Sequence, residues 1–127
     1  MALASTGKAL GAAEESAENP PVDTEEISLR TDSILAMRVG STTRNDIDGV
    51  TPAVVQHLSL LLDQDLGADK DAEVQKLVRK GRALIDPKER PTEDTPTFGA
   101  WLYARDVATL TRRLLWVYAE RNGLDAP

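Results

Sequence analysis

The chain carries one imidazole, His57, and no cysteine. A Ser-His-acid triad or an imidazole-based metal site would have to be assembled around that single ring. No nucleophile elbow accompanies it. Beside Gln56, in a stretch of helical spacing, His57 reads as a partly exposed helical histidine. Without cysteine there is no disulfide framework, no thiolate metal site and no thiol nucleophile. Neither G-x-x-x-x-G-K-[ST] nor G-x-G-x-x-G occurs, so nucleotide binding has no motif to rest on. We expect no catalytic residues and no cofactor.

One segment resembles a metal loop. Asp63-Gln64-Asp65-Leu66-Gly67-Ala68-Asp69-Lys70-Asp71-Ala72-Glu73 alternates acids around a glycine. A calcium loop of the EF-hand type needs glycine at its sixth position and a bidentate Glu at its twelfth. Here Gly67 is fifth and Val74 is twelfth. Asp69, Asp71 and Glu73 have a second explanation, because acids at a helix N-terminus cap it and complement its dipole. No metal site is expected.

The remaining candidate is a surface. All five aromatics fall near the C-terminus: Phe98, Trp101, Tyr103, Trp116 and Tyr118. At 100° per residue, Tyr103, Val107, Leu110, Leu114, Val117 and Tyr118 share one side of a helix, widened by Ala100, Ala104, Thr111 and Leu115. That side is the expected core face. Opposite it, Arg105, Thr109, Arg112 and Trp116 form a stripe at i, i+4, i+7 and i+11, flanked by Trp101 and Leu102, with Arg113 near. Phe98 joins it if the helix begins early enough. Arg112 stands four residues before Trp116, so a local cation–π contact is available. Two readings stay open. Another segment, such as Ile27–Val39, covers this second face, as when a long bundle helix has two neighbours. Or Trp101, Arg105, Thr109, Arg112 and Trp116 form a partner-binding surface, since Trp and Arg are enriched at hot spots, for a protein partner or a second copy.

Charge narrows the partner classes. The net charge is −6, and residues 1–26 hold Lys8 against six acids, leaving the remainder near neutral. An acidic chain opposes nonspecific nucleic-acid binding, which needs a net positive face. The cluster Lys76, Arg79, Lys80 and Arg82 lacks interleaved aromatics and reads as a solvated face. No stretch approaches the roughly 18 consecutive apolar residues of a spanning helix, and the N-terminus lacks a basic region followed by an apolar one. We expect a cytoplasmic protein with no membrane or nucleic-acid partner.

The elements that must position these residues follow from periodicity and punctuation. A length of 127 residues allows one domain. Residues 1–22 are rich in Ala, Gly, Glu and Ser, end near Asn19-Pro20-Pro21, and hold too little apolar surface to offset ordering. They are expected to be a disordered acidic tail before a helical domain over 23–125. A first helix over about 24–39 starts after Asp23 and carries Ile27, Thr31, Ile34, Leu35 and Val39 on one face, with Gly40 as its stop. Ser41–Gly49 is polar and reads as a loop. Thr51-Pro52 reads as N-cap and first helical position of a second helix over 52–66. It carries Val54, Val55, Leu58, Leu61, Leu62 and Leu66, and Gly67 closes it. A third, over 70–86, has Val74, Leu77, Val78, Gly81, Leu84 and Ile85 on its stripe and Pro87 after it. Gly81 on that stripe suggests close approach of another helix. A fourth helix, over 96–122, spans roughly 39 Å and ends at Gly123. The fold class is all-α, an antiparallel bundle of about four helices.

The order of elements resembles a family of small actinobacterial helical proteins often labelled as natural-product biosynthesis proteins. The likeness rests on Ile27-to-Met37 (ISLRTDSILAM), Gln56-His57-Leu58-Ser59-Leu60-Leu61-Leu62, and Ala100-to-Tyr118 ending Leu114-Leu115-Trp116-Val117-Tyr118, within residues 27–120. It implies a bacterial accessory protein and brings no catalytic residues. The leading expectation is a non-enzymatic interaction or regulatory module. The rival is a ligand carrier or enzyme with an inter-helix pocket near His57, Tyr103 and Tyr118.

Overall fold

The computed structural model describes residues 22–124. Four α-helices build it: α1 (Thr24–Leu35), α2 (Arg44–Leu62), α3 (Ala72–Leu84) and α4 (Thr97–Arg121). Short 3₁₀ turns at Val39–Ser41, Ala68–Lys70 and Pro87–Glu89 lie between them, and no strand occurs among the described residues. The expectation of disorder over 1–22 falls outside the described residues except at Val22, which is buried in the core rather than part of a tail.

Three of the four helices start after side chains that take the orphan N–H groups of a first turn, while α4 follows Pro96 without such a cap. Asp23 accepts from Glu26 N–H at 3.0 Å, and Asp71 accepts from Glu73 and Val74 N–H. At α2 the cap is reciprocal. Thr43 Oγ1 accepts from Asp46 N–H, and the Asp46 carboxylate accepts from Thr43 N–H, both at 3.0 Å. The Thr43 backbone N–H on the carboxylate, helped by the Thr43 side chain, lowers the Asp46 carboxyl from its ordinary value.

This cap corrects the reading of 41–49 as a loop and of Pro52 as a first helical position. Arg44–Gly49 is helix, and Pro52 lies in the interior of α2. Proline there forfeits the bond to the Asp48 carbonyl. Both residues are exposed, so water can take that carbonyl. The Thr51 hydroxyl, read as an N-cap, instead donates to the Ile47 carbonyl at 2.7 Å. At the other end α2 stops at Leu62, and Leu66 is buried in the following turn. The first helix is also shorter than periodicity suggested: α1 ends at Leu35, and Val39 is exposed in a 3₁₀ turn.

Successive helices run antiparallel, which leaves α2 and α4 parallel, and these two make the most extensive contact in the bundle. At about 1.5 Å per residue, α4 is roughly 37 Å long and contacts all three other helices. Ile27, Ile47, Val54, Leu58, Leu61, Val107, Leu114 and Leu115 are fully buried, each stabilising by about 1.5–3 kcal/mol relative to exposure. Buried Ala100, Ala104, Ala108 and Ala119 let neighbours approach the α4 axis closely. Buried Thr31 and Thr111 satisfy their hydroxyls on the carbonyls of Ser28 and Val107. Gly81 does mark a close approach. A Cβ there would stand 3.0 Å from a Leu62 methyl and 3.4 Å from a Leu110 methyl. Past α4, Gly123 takes φ +66°. Its N–H bonds to the Glu120 carbonyl while Leu124 N–H bonds to Ala119, a Schellman ending.

Candidate functional site

The stripe on α4 divides along its length. Toward the N-terminal end, Trp101 is half-buried, and its indole Nε1–H donates to the Met37 carbonyl at 3.1 Å. Phe98 stacks on its ring at 5.9 Å between centroids, and the Arg105 guanidinium lies 5.4 Å from the centroid. Arg105 also donates to the Leu35 carbonyl at 3.2 Å. The Arg112 guanidinium pairs with the Asp32 carboxylate. The anticipated Arg112–Trp116 cation–π contact gives way to this ion pair, and the cation–π pair found is Arg105 with Trp101. Exposed Thr109 donates to the Arg105 carbonyl of its own helix at 2.8 Å.

The physical reason lies in α1. The last carbonyls of a helix have no intrahelical donors. Leu35 and Met37 sit at that end, and donors from α4 reach them. The device recurs through the molecule. Arg82 donates to the Leu62 carbonyl at the end of α2, and Tyr103 donates to the Leu84 carbonyl at the end of α3 at 2.6 Å. Arg90 donates to Ile85, and Arg121 to Asp65. Arg44 clamps the connector before α4 by donating to the carbonyls of Thr92 and Thr95. Much of this chain's arginine chemistry therefore closes helix ends. No local signal in the sequence announces it, because the partners lie up to 70 residues away in sequence for Arg105.

Trp116, at the other end of the stripe, is different. It is 52% exposed, and its indole N–H has no acceptor among the described residues. It lies in a surface groove of about 420 Å³ between α3 and α4, lined also by Leu77, Arg112, Arg113, Val117 and Glu120. Leu77, read as core on α3, is half-buried here and forms part of this groove. Arg113 and Glu120 are exposed, and neither joins an ion pair among the described residues. This end offers an apolar centre between charges of both signs.

His57, Tyr103 and Tyr118 serve separate tasks. His57 is half-buried, and its Nε2 atom is buried without a partner, as is Nε of Arg30. Burial lowers the His57 pKa, and the Arg30 charge lowers it further, against smaller raising effects of Glu26 and Asp23. The Tyr103 hydroxyl is occupied by Leu84, and burial raises its pKa. Tyr118 is half-buried against the core. A larger groove, about 710 Å³, lies between α2 and the 90–93 connector and is lined in part by Arg44, Asp48, Pro52, Val55, Arg90 and Pro91.

In the acidic segment, two carboxylates bond to backbone. Asp65 accepts from Gly67 N–H at 3.1 Å, and Asp71 caps α3. Asp69 lies in the 3₁₀ turn that precedes the cap. Gly67 takes φ +77°, and the Arg121 side chain occupies the space a Cβ would need. Among the described residues no group of three or more His, Cys, Asp or Glu side chains is placed to hold a metal ion, and no helix is long and apolar enough to cross a membrane. Comparison of the chain with protein-family models, with curated proteins and with solved structures finds no match.

Proposed function

We propose that this protein is a small non-enzymatic helical interaction module that docks a protein partner in the α3–α4 groove around Trp116. One observation carries the reading. Trp101 and Tyr103 have their polar tips engaged and their rings packed, whereas Trp116 presents half its surface to solvent on the longest helix of the bundle. A large aromatic held on a rigid element loses little entropy on binding and suits a hot spot. Because Trp101, Arg105 and Arg112 are engaged with α1, the surface proposed for docking is the Trp116 end of the stripe rather than the whole of it.

The test uses Trp116→Glu and wild type side by side as baits in native lysate, with circular dichroism of both. Trp116→Glu should stay folded and lose a protein that wild type retains. An unfolded variant would make Trp116 a packing residue and end the docking reading.

A second reading has one observation in its favour. The groove beside α2 is lined by Asp48, whose carbonyl Pro52 leaves without a helical donor, and by the apolar Val55 and Pro91. An accessory protein of natural-product biosynthesis could seat a small ligand with a hydrogen-bond donor there. Ligand-induced shifts of the Val55 and Gln56 resonances would favour it over the docking reading.

A further inference from the structure

We propose that the occupant of the Trp116 groove is a second copy of this chain, joined across a two-fold axis with its α4 antiparallel to the first. The inference rests on the docking reading above and names its partner. The order of charges along α4 makes it self-complementary. Arg113 and Glu120 are seven residues apart, nearly two turns, so they lie on one stripe of α4. Trp116 and Val117 sit midway between them and straddle that stripe. When two identical helices cross antiparallel about a point between positions 116 and 117, position 113 of one meets position 120 of the other. Arg113 then faces the partner's Glu120, Glu120 faces the partner's Arg113, and each Trp116 lies against the partner's Val117.

A two-fold contact must be self-complementary, with each contact made twice. This stripe meets that demand in charge as well as in apolar surface. Arg112 and Arg121 would also approach each other across the axis. Their charges are already matched within each chain by Asp32 and by Asp65, the latter at 3.5 Å. Arg113 and Glu120 lack such partners among the described residues, and both line the groove. Leu77 of α3 extends the apolar centre. A single exposed tryptophan with two aliphatic neighbours is a small centre, so the association belongs to the weak class of interfaces.

The test is sedimentation velocity of the full chain from micromolar to millimolar concentration, with two charge reversals. Wild type should pass from monomer to dimer across that range. Arg113→Glu places acid against acid twice, and Glu120→Arg places base against base twice. Each alone should weaken dimerisation about tenfold or more. Mixed in equal amounts, the two variants should associate again, because each supplies what the other lacks in both pairs. Circular dichroism confirms that each exposed-site variant is folded.

Failure of the mixture to recover overturns the inference, as does a wild type monomeric at every concentration. If wild type is monomeric but retains from lysate a protein that folded Trp116→Glu loses, the docking surface stands with another occupant. If Trp116→Glu unfolds, the docking reading falls as well.

Discussion

Replacing each tryptophan by phenylalanine separates fastening from docking on α4. At Trp101 the change keeps a ring for Phe98 to stack on but removes the indole donor from the Met37 carbonyl. A hydrogen bond contributes about 0.5–1.5 kcal/mol net, and an acceptor left part-buried costs about 1–3 kcal/mol. Arg105 also loses the better cation–π face, about 0.5–1 kcal/mol at an exposed site. Trp101→Phe should therefore destabilise by about 1.5–2.5 kcal/mol. At Trp116 no acceptor is lost among the described residues, and the side chain is 52% exposed. Trp116→Phe should stay within about 0.5 kcal/mol of wild type. Urea denaturation of both variants at low protein concentration measures the difference, with the slope m confirming that the cooperative unit is unchanged. The remaining tryptophan serves as a reporter. In Trp101→Phe, the emission from Trp116 should be red-shifted and strongly quenched by iodide; in Trp116→Phe, the emission from Trp101 should be bluer and better protected. A Trp116→Phe cost equal to or above that of Trp101→Phe would refute the division of the stripe.

Further expectations concern the framework. Gly81→Ala gains about 1 kcal/mol of helix propensity but sets a Cβ 3.0 Å from a Leu62 methyl, which must give slightly, so it should be close to neutral, whereas Gly81→Leu should cost about 2–3 kcal/mol or more by overpacking, measured by thermal denaturation. Tyr103→Phe leaves the Leu84 carbonyl without its donor and should cost about 1–3 kcal/mol in urea titrations. The folded-state pKa of His57 lies below its unfolded value near 6.5, so the unfolded chain binds more protons in the window between the two. Its contribution is fully present above pH 6.5 and is lost as the pH falls through the folded value. His57→Gln should flatten that part of the stability–pH profile, and an unchanged slope would contradict the burial argument.

Much of the architecture was legible because burial and periodicity agree. Of the expected α4 core face, Tyr103, Val107, Leu110 and Leu114, with Ala100, Ala104, Thr111 and Leu115, are buried, whereas Val117 and Tyr118 at its C-terminal end are only half-buried. The positions of Gly81 and Gly123 were also readable, since close packing and a left-handed ending both favour glycine.

Local chemistry misled at α2. Thr51-Pro52 has the form of a helix start, while the actual start, Thr43 with Asp46 three residues on, uses Asp where Glu or Gln is usual. Only buried Ile47 and half-buried Val50 are apolar in the first turns, too few to reveal a period. The division of the candidate site was not legible at all. Helical projection places Trp101, Arg105, Arg112 and Trp116 together, but the fate of each depends on where α1 ends along α4. That is a tertiary fact. The alignment of Leu35 and Met37 with Arg105 and Trp101 decides which residues are occupied, and nothing within a few residues of either encodes it.

The central claim is that the Trp116 end of α4 is a working surface rather than a remnant of packing. The most direct measurement is sedimentation velocity on an equal mixture of Arg113→Glu and Glu120→Arg, against each variant alone and wild type. Each variant alone should self-associate more weakly than wild type, and the mixture should recover it. A mixture that sediments as the average of its components, alongside a monomeric wild type and a folded Trp116→Glu that retains the same lysate proteins as wild type, would contradict it.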